Sequence, residues 1–214
     1  MAEYEALNIT AYKRLKHMIL NSELEFNTLY SERKIADMLA ISRTPVRDAL
    51  VRLSQEHYID VIPSKGFSLH KATEDELKDA MHFRLAVECY CARFIAQSGE
   101  ISRREAAASL EKLLDLQRGV ADRSHLKQFW QLDVQFHTYI VEYLNNPYFN
   151  SLYASINYLF TSLAADNFFS RKRHLTTLKE HGEMIQSMLA GDEEAACRIV
   201  KAHIEESSSI ILQK

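Results

Sequence analysis

The stretch LAISRTPVRDALVRL, Leu39 to Leu53, has helical spacing, yet it carries a proline, Pro45, and two arginines, Arg43 and Arg47, near its start. A proline inside a helix costs about 3 kcal/mol, because its ring displaces a backbone hydrogen bond. In the first turn that cost disappears, since those N–H groups have no intrahelical acceptor. With Ser42 as the N-cap, Pro45 becomes the third helical residue. Val46, Leu50 and Leu53 then repeat at i, i+4 and i+7 as an apolar face. Arg43, Thr44 and Arg47 fall off that face, clustered at the N-terminal end.

Working outward, the preceding YSERKIADMLAI reads as a helix capped by Ser31, with Ile35, Ala36 and Leu39 on its buried side. Earlier still, TAYKRLKHMILN sets Tyr12, Leu15, Met18 and Ile19 on one helical face, with Thr10 as its N-cap. After the opening stretch, YIDVIPSKGFSLH changes to period two. Ile59 and Val61, then Phe67 and Leu69, alternate about a PSKG turn, which puts Lys65 and Gly66 at the tip of a hairpin. Three helices and a hairpin make a winged helix-turn-helix over residues 1–72.

Residues 73–214 carry no strand pattern. Six helical segments are expected, near 74–97, 103–122, 125–144, 148–167, 171–190 and 192–212, separated by SGEIS, DRSH, NNP, FFSR and AGDE. The fold class is therefore mainly α: an N-terminal winged helix-turn-helix followed by an all-α bundle of six or seven helices. The junction is expected in LHKATEDE, residues 69–76.

Five glycines and three prolines in 214 residues leave little room for the turns of an all-β fold. The net charge of −3 is unevenly spread: residues 1–73 hold ten Lys and Arg against nine Asp and Glu, and the rest hold sixteen against twenty. A slightly basic head on an acidic body permits local DNA contact. Three cysteines, Cys89, Cys91 and Cys197, lack C-x-x-C spacing, which argues against disulfides and a thiolate metal site. With no signal-peptide pattern and no long apolar run, a cytoplasmic protein without a membrane partner is expected.

A recognition helix enters the major groove by its N-terminal residues, here Arg43, Thr44 and Arg47. Arginine can grip guanine bidentately or bind phosphate. Arg33 is placed for phosphate, and Lys65 and Gly66 for the minor groove. The segment from Tyr30 to Leu69 resembles the N-terminal domain of GntR-family bacterial transcription regulators, through SERKIADMLAISRTPVRDAL, the following RL and the KGF of the wing. That resemblance puts Arg33, Arg43, Arg47 and Gly66 on DNA-contacting positions, with Thr44, Lys65 and the capping Ser42 beside them. The family's usual lead-in to the second helix is replaced by NTLYSE.

In the second half, Asp133 and His137 in LDVQFHTYI share one helical face a turn apart. His181 and His203 sit among apolar neighbours in two other helices. One carboxylate and three imidazoles can hold zinc, nickel or manganese with positions left open, although spacing alone also fits a local hydrogen bond and ordinary histidines. FRLAVECYCARFIA, DVQFH, LNNPYF, EHGEMIQSMLAGDEEAA and HIEES are similar to the FCD effector domain of the FadR branch of the GntR family. The resemblance implies a divalent metal, zinc first, held by Asp133, His137, His181 and His203. It also implies an effector site with Arg84 and, a turn later, Glu88, suited to a small carboxylate. Glu180 and Glu183 read as solvated.

The resemblance further implies a homodimer that reads double-stranded palindromic operator DNA, as a ligand-responsive regulator and by family habit a repressor. A metal with vacant positions is also how a hydrolase is built, so a metal-dependent hydrolase with an accessory DNA-binding domain is the rival expectation. The chain lacks H-E-x-x-H, P-loop and dinucleotide motifs, and the H-x-E at His181–Glu183 is not followed by P-C-x-x-C.

Overall fold

The structure, a computed structural model, describes residues 6–21, 23–121, 125–164 and 171–212, and side chains at all of these except 161–164, 171–172 and 210–212. The expected DRSH and FFSR breaks fall at Asp122–Ser124 and Phe168–Ser170, outside the described residues. The chain divides into two compact units, Met1–Lys71 and Ala72–Lys214.

The first unit contains α1 (Leu7–Leu20), α2 (Glu32–Leu39), α3 (Arg43–Gln55), β1 (Ile59–Ile62) and β2 (Gly66–Leu69). Leu15, Ile19, Ile35, Val46, Leu53, Tyr58 and Phe67 form its fully buried centre. The helix α1 starts earlier than expected. Ala6 is its N-cap, and the Thr10 N–H already donates to the Ala6 carbonyl at 3.1 Å, so Thr10 lies inside the helix and does not cap it. Ser31 caps α2 as expected, accepting from the Lys34 N–H at 3.1 Å. Ser42 holds the N-cap position of α3 in extended conformation, but without a side-chain hydrogen bond. Pro45 is the third helical residue and is buried, so the proline that raised the question sits in the tolerated first turn.

Between α2 and α3 the chain reverses through Ala40, whose φ of 55° is left-handed. Its N–H and that of Ile41 satisfy the last carbonyls of α2, a bond pattern usually built on glycine. The hairpin pairs Ile59 with Leu69, Val61 with Phe67 and Ile62 with Gly66. Its loop is therefore Pro63–Lys65, and Gly66 is the first strand residue instead of the tip. Tyr30 joins the hairpin through a two-way backbone bridge: its N–H donates to the Phe67 carbonyl at 2.8 Å, and the Phe67 N–H returns to Tyr30 at 2.9 Å. This bridge is what the NTLYSE lead-in builds. It forces Gly66 against the Tyr30 carbonyl, where a Cβ would sit 2.1 Å from the oxygen, at a φ of 131°.

The second unit is α4 (Glu74–Gln97), α5 (Glu100–Gly119), α6 (Leu126–Glu142), α7 (Pro147–Ala164), α8 (Arg171–Ala190) and α9 (Glu193–Leu212). A capping box of Thr73 and Glu76 opens α4. Gly99 caps α5, which thus begins at Glu100, three residues before the expected start. Pro147 opens α7, and the Asn146 side chain accepts from the Tyr148 N–H at 2.9 Å. Gly191, with φ 74°, ends α8, and Asp192 caps α9 through the Ala195 N–H at 2.9 Å. Apolar faces of all six helices meet in one core around Leu110, Phe136, Ile140, Met184 and Val200. No described helix is long and apolar enough to cross a membrane.

Candidate functional site

All six helices reach a buried polar centre within that core, and three of them supply its four donors. Asp133 and His137 project from α6 a turn apart, His181 from α8 and His203 from α9. One donor atom from each lies within 4.8 Å of the other three. His137 Nε2 is 3.0 Å from His203 Nε2, His181 Nε2 is 3.5 Å from Asp133 Oδ1, and His137 Nε2 is 3.9 Å from Asp133 Oδ2. A fourth helix, α4, supplies Glu88 behind His137.

Each imidazole is held at its other nitrogen. His137 Nδ1 meets Glu88 Oε2 at 2.6 Å, His203 Nδ1 meets Glu180 Oε2 at 2.6 Å, and His181 Nδ1 meets the Gln117 side-chain oxygen at 2.9 Å. The Gln117 amide nitrogen donates in turn to Asp133 Oδ1 at 3.2 Å. An acceptor at Nδ1 keeps the proton there, so the three Nε2 atoms present lone pairs to a common point. Two such lone pairs facing each other at 3.0 Å favour a shared cation. The buried His181 Nε2 has no hydrogen-bond partner among the described residues. The donor set therefore fits a divalent metal: three neutral imidazoles, one carboxylate and a complete outer layer.

The electrostatics agree. Burial pushes the His181 imidazole well below its ordinary pKa, with the neighbouring His203 and His137 adding to the effect. Burial also lowers His203, against the upward pull of Glu180. Both shifts favour the neutral imidazole, the form that a metal ion would require. Burial alone would raise Glu88, but Arg84 and His137 hold its carboxyl well below the usual range.

Arg84 donates Nε to Glu88 Oε1 at 2.7 Å, and Tyr153 OH donates to the same oxygen. Glu88 is thus fully buried with both oxygens committed. Arg84 instead lines a small cavity beside the four-residue centre, with Trp130, Asp133, Arg173, His203 and Ser207 among its walls. The cavity is about 20 Å³, room for roughly one water. Arg173 donates to Glu180 at 3.0 Å and to Ser207 Oγ at 2.7 Å. Sequence reading missed Arg173 and Gln117, and it took Glu180 as solvated. Glu180 is instead a partly buried clamp on His203 and Arg173. His174 lies outside the four-residue centre, buried and stacked on Phe129 with centroids 3.9 Å apart.

The first unit holds the other predicted residues. Arg33, Arg43, Arg47, Lys65 and Gly66 all line one groove of about 510 Å³ between the start of α2, the start of α3 and the hairpin, and Ser42 and Thr44 are exposed beside it. Glu32, which sequence reading passed over, lies in the same groove and pairs with Arg43 at 3.3 Å and Arg47 at 3.0 Å.

Comparison with known proteins decides what this combination is. The FCD domain matches residues 79–206, and the gntR family of bacterial regulatory proteins matches residues 7–69. The chain belongs to the GntR family. It is similar to the HTH-type transcriptional repressor RspR of Escherichia coli K12, 22% identical over 98% of this chain and 90% of that one. It is likewise similar to the uncharacterized HTH-type transcriptional regulator YdhC of Bacillus subtilis 168, 23% identical over 90% and 85%. Among solved structures, E. coli McbR/YncC superposes with a TM-score of 0.77 at 17% identity over 98% of both chains. A GntR-type protein of Rhodococcus sp. RHA1 gives 0.76 at 21%, covering 96% of this chain and 97% of that one. This GntR-family protein is a transcriptional regulator with an FCD domain, and its relatives are regulators and not enzymes. The expected family and fold are borne out, and the hydrolase alternative falls.

Proposed function

We propose that this GntR-family regulator is a metal-containing, ligand-responsive repressor, a homodimer that binds a palindromic operator and responds to a small carboxylate. The observation that carries the sensing half is the convergence of three Nε2 atoms and one carboxylate, each imidazole held from behind. Asp133, His137, His181 and His203 hold a divalent ion, zinc before nickel or manganese because a neutral imidazole set with one carboxylate suits it. Such an ion supplies positive charge and open positions for a ligand oxygen.

Charge supports the choice of a carboxylate. Around the centre, the guanidiniums of Arg84 and Arg173 face three carboxylates, those of Glu88, Glu180 and Asp133, a net of one negative charge. A divalent ion reverses the sign and draws an anion to the centre, where the one-water cavity has to widen to admit a carboxylate. Arg84 and Arg173 then orient the effector, and Glu88 acts by positioning Arg84 and His137. In the DNA-reading unit, Arg43, Arg47, Thr44 and Ser42 enter the major groove, Arg33 takes phosphate, and Lys65 and Gly66 approach the minor groove. The name of RspR, a repressor, supports the direction of regulation.

Native mass spectrometry with elemental analysis tests the sensing half. One metal per chain is expected, lost in His137→Ala and His203→Ala. Wild-type protein that stays metal-free after zinc, nickel and manganese are supplied refutes it. For the reading half, Arg43→Ala with Arg47→Ala is expected to lower operator affinity, and an untouched affinity refutes the recognition-helix assignment.

A further inference from the structure

The two arginines at the start of α3 do not stand free. Arg43 and Arg47 are one turn apart and both point out of the unit, their side chains 63% and 64% exposed. A single carboxylate from the first residue of α2 holds both. Glu32 Oε1 accepts from Arg47 Nε at 3.2 Å, and Oε2 accepts from Arg47 Nη2 at 3.0 Å and Arg43 Nη2 at 3.3 Å. The Arg47 pair is bidentate, so it fixes the plane of the guanidinium as well as its position.

A carboxylate at the first position of a helix is ordinary, because it complements the helix dipole. That ordinary role needs no arginine. Placing an acid inside a groove otherwise lined by Arg33, Arg43, Arg47 and Lys65 weakens attraction to any phosphate backbone. What it gains is direction. Two adjacent guanidiniums repel each other and, left alone, follow the nearest phosphate. Tied to Glu32 by Nε and Nη2, Arg47 keeps Nη1 for an acceptor on a base edge, and Arg43, tied by Nη2 alone, turns Nε and Nη1 the same way. Bidentate recognition of guanine needs a guanidinium held in one plane. Hydrogen bonding to Arg47 also holds the Glu32 carboxyl below its ordinary pKa, against the opposing effect of burial.

We infer that Glu32 is a specificity-determining positioning residue, which turns Arg43 and Arg47 from phosphate-gathering cations into base readers. The inference rests on the DNA-reading assignment above, and the test separates the two. Full-length wild-type protein is used to select binding sites from a pool of randomised duplexes. Affinities of wild type, Glu32→Gln and Glu32→Asp are then measured for the selected duplex and a scrambled one across a salt series. Glu32→Gln is expected to bind scrambled DNA several-fold tighter with a salt slope about one unit steeper. It is also expected to lose about tenfold or more in the selected-to-scrambled ratio, and Glu32→Asp to restore part of that ratio. In an Arg43→Ala, Arg47→Ala background, Glu32→Gln is expected to leave the ratio unchanged.

A ratio that survives Glu32→Gln, with both duplexes gaining equally, overturns the inference and leaves Glu32 a simple repelling charge. A ratio that still falls without the arginines overturns it differently, by making Glu32 a direct DNA contact. Wild type that enriches no sequence overturns the DNA-reading assignment itself, and this inference with it.

Discussion

Gln117 offers a sharp test of the buried centre, because one side chain holds two of the four donors. Its oxygen faces His181 Nδ1 at 2.9 Å and its nitrogen donates to Asp133 Oδ1 at 3.2 Å. Losing one outer partner of a metal ligand costs roughly 10–100-fold in affinity. Gln117→Leu keeps roughly the same volume but frees two of the proposed ligands together, so the upper end, about hundredfold, is expected. At 1.4 kcal/mol per tenfold this is about 3 kcal/mol. The assay is competition for zinc against a chromogenic chelator, with thermal melts beside it. Where free zinc stands about a thousandfold above the wild-type dissociation constant, it stabilises the wild type by roughly 4.1 kcal/mol. The variant, left with about a tenfold excess, keeps only about 1.4 kcal/mol. Melts in chelator control for folding. An affinity within threefold of wild type, in a preparation where His137→Ala abolishes binding, refutes the claim that Gln117 sets up the site.

Three further outcomes are expected. Gly66→Ala drives a methyl into the Tyr30 carbonyl at a φ that disfavours side chains, and is expected to destabilise the first unit by about 2 kcal/mol or more, read by denaturant melts. Ala40→Gly relieves a left-handed alanine, worth about 1–2 kcal/mol, against a glycine entropy cost of about 0.4–1, so stability is expected to rise by up to about 1.6 kcal/mol. Burial raises the Glu56 carboxyl, but hydrogen bonds from Lys16, Tyr12 and Arg52 outweigh it, leaving the pKa below the ordinary value. The stability this gives is present above an unfolded pKa of about 4.3 and is lost as pH falls through the lower folded value. Glu56→Gln is therefore expected to flatten the acid limb of the stability profile below about pH 4.3; an unchanged limb would falsify the linkage.

Much of the fold was legible because its signals are local. The proline in the first turn, the apolar repeat of Val46, Leu50 and Leu53, and the Gly191–Asp192 stop each act within a few residues. The four converging donors were readable as residue types on buried helical faces, aided by resemblance to a known domain. Their supports were not. Gln117 lies 64 residues before His181, and no periodicity links a glutamine on α5 to a histidine on α8. Glu180 precedes a buried histidine directly, a spacing that normally turns a side chain away, yet the partly buried carboxylate reaches His203. Its partner Arg173, seven residues earlier, shares its face and was the one available clue. Thr10 misled because a good capping residue three positions into a helix looks the same as one at its start.

The bridge from Tyr30 to Phe67 also has a bearing on fidelity of assembly. A one-residue slip turns every side chain of a strand to the other face. Here a slip of the strand against Tyr30 in either direction would put Lys65 or Phe67 where Gly66 stands, and a Cβ there would lie 2.1 Å from the Tyr30 carbonyl oxygen. Gly66 is the first glycine in the sequence, and the next is Gly99. The missing side chain thus works with the buried Ile59, Phe67 and Leu69 to hold one alignment of the hairpin, and with it the place of Lys65.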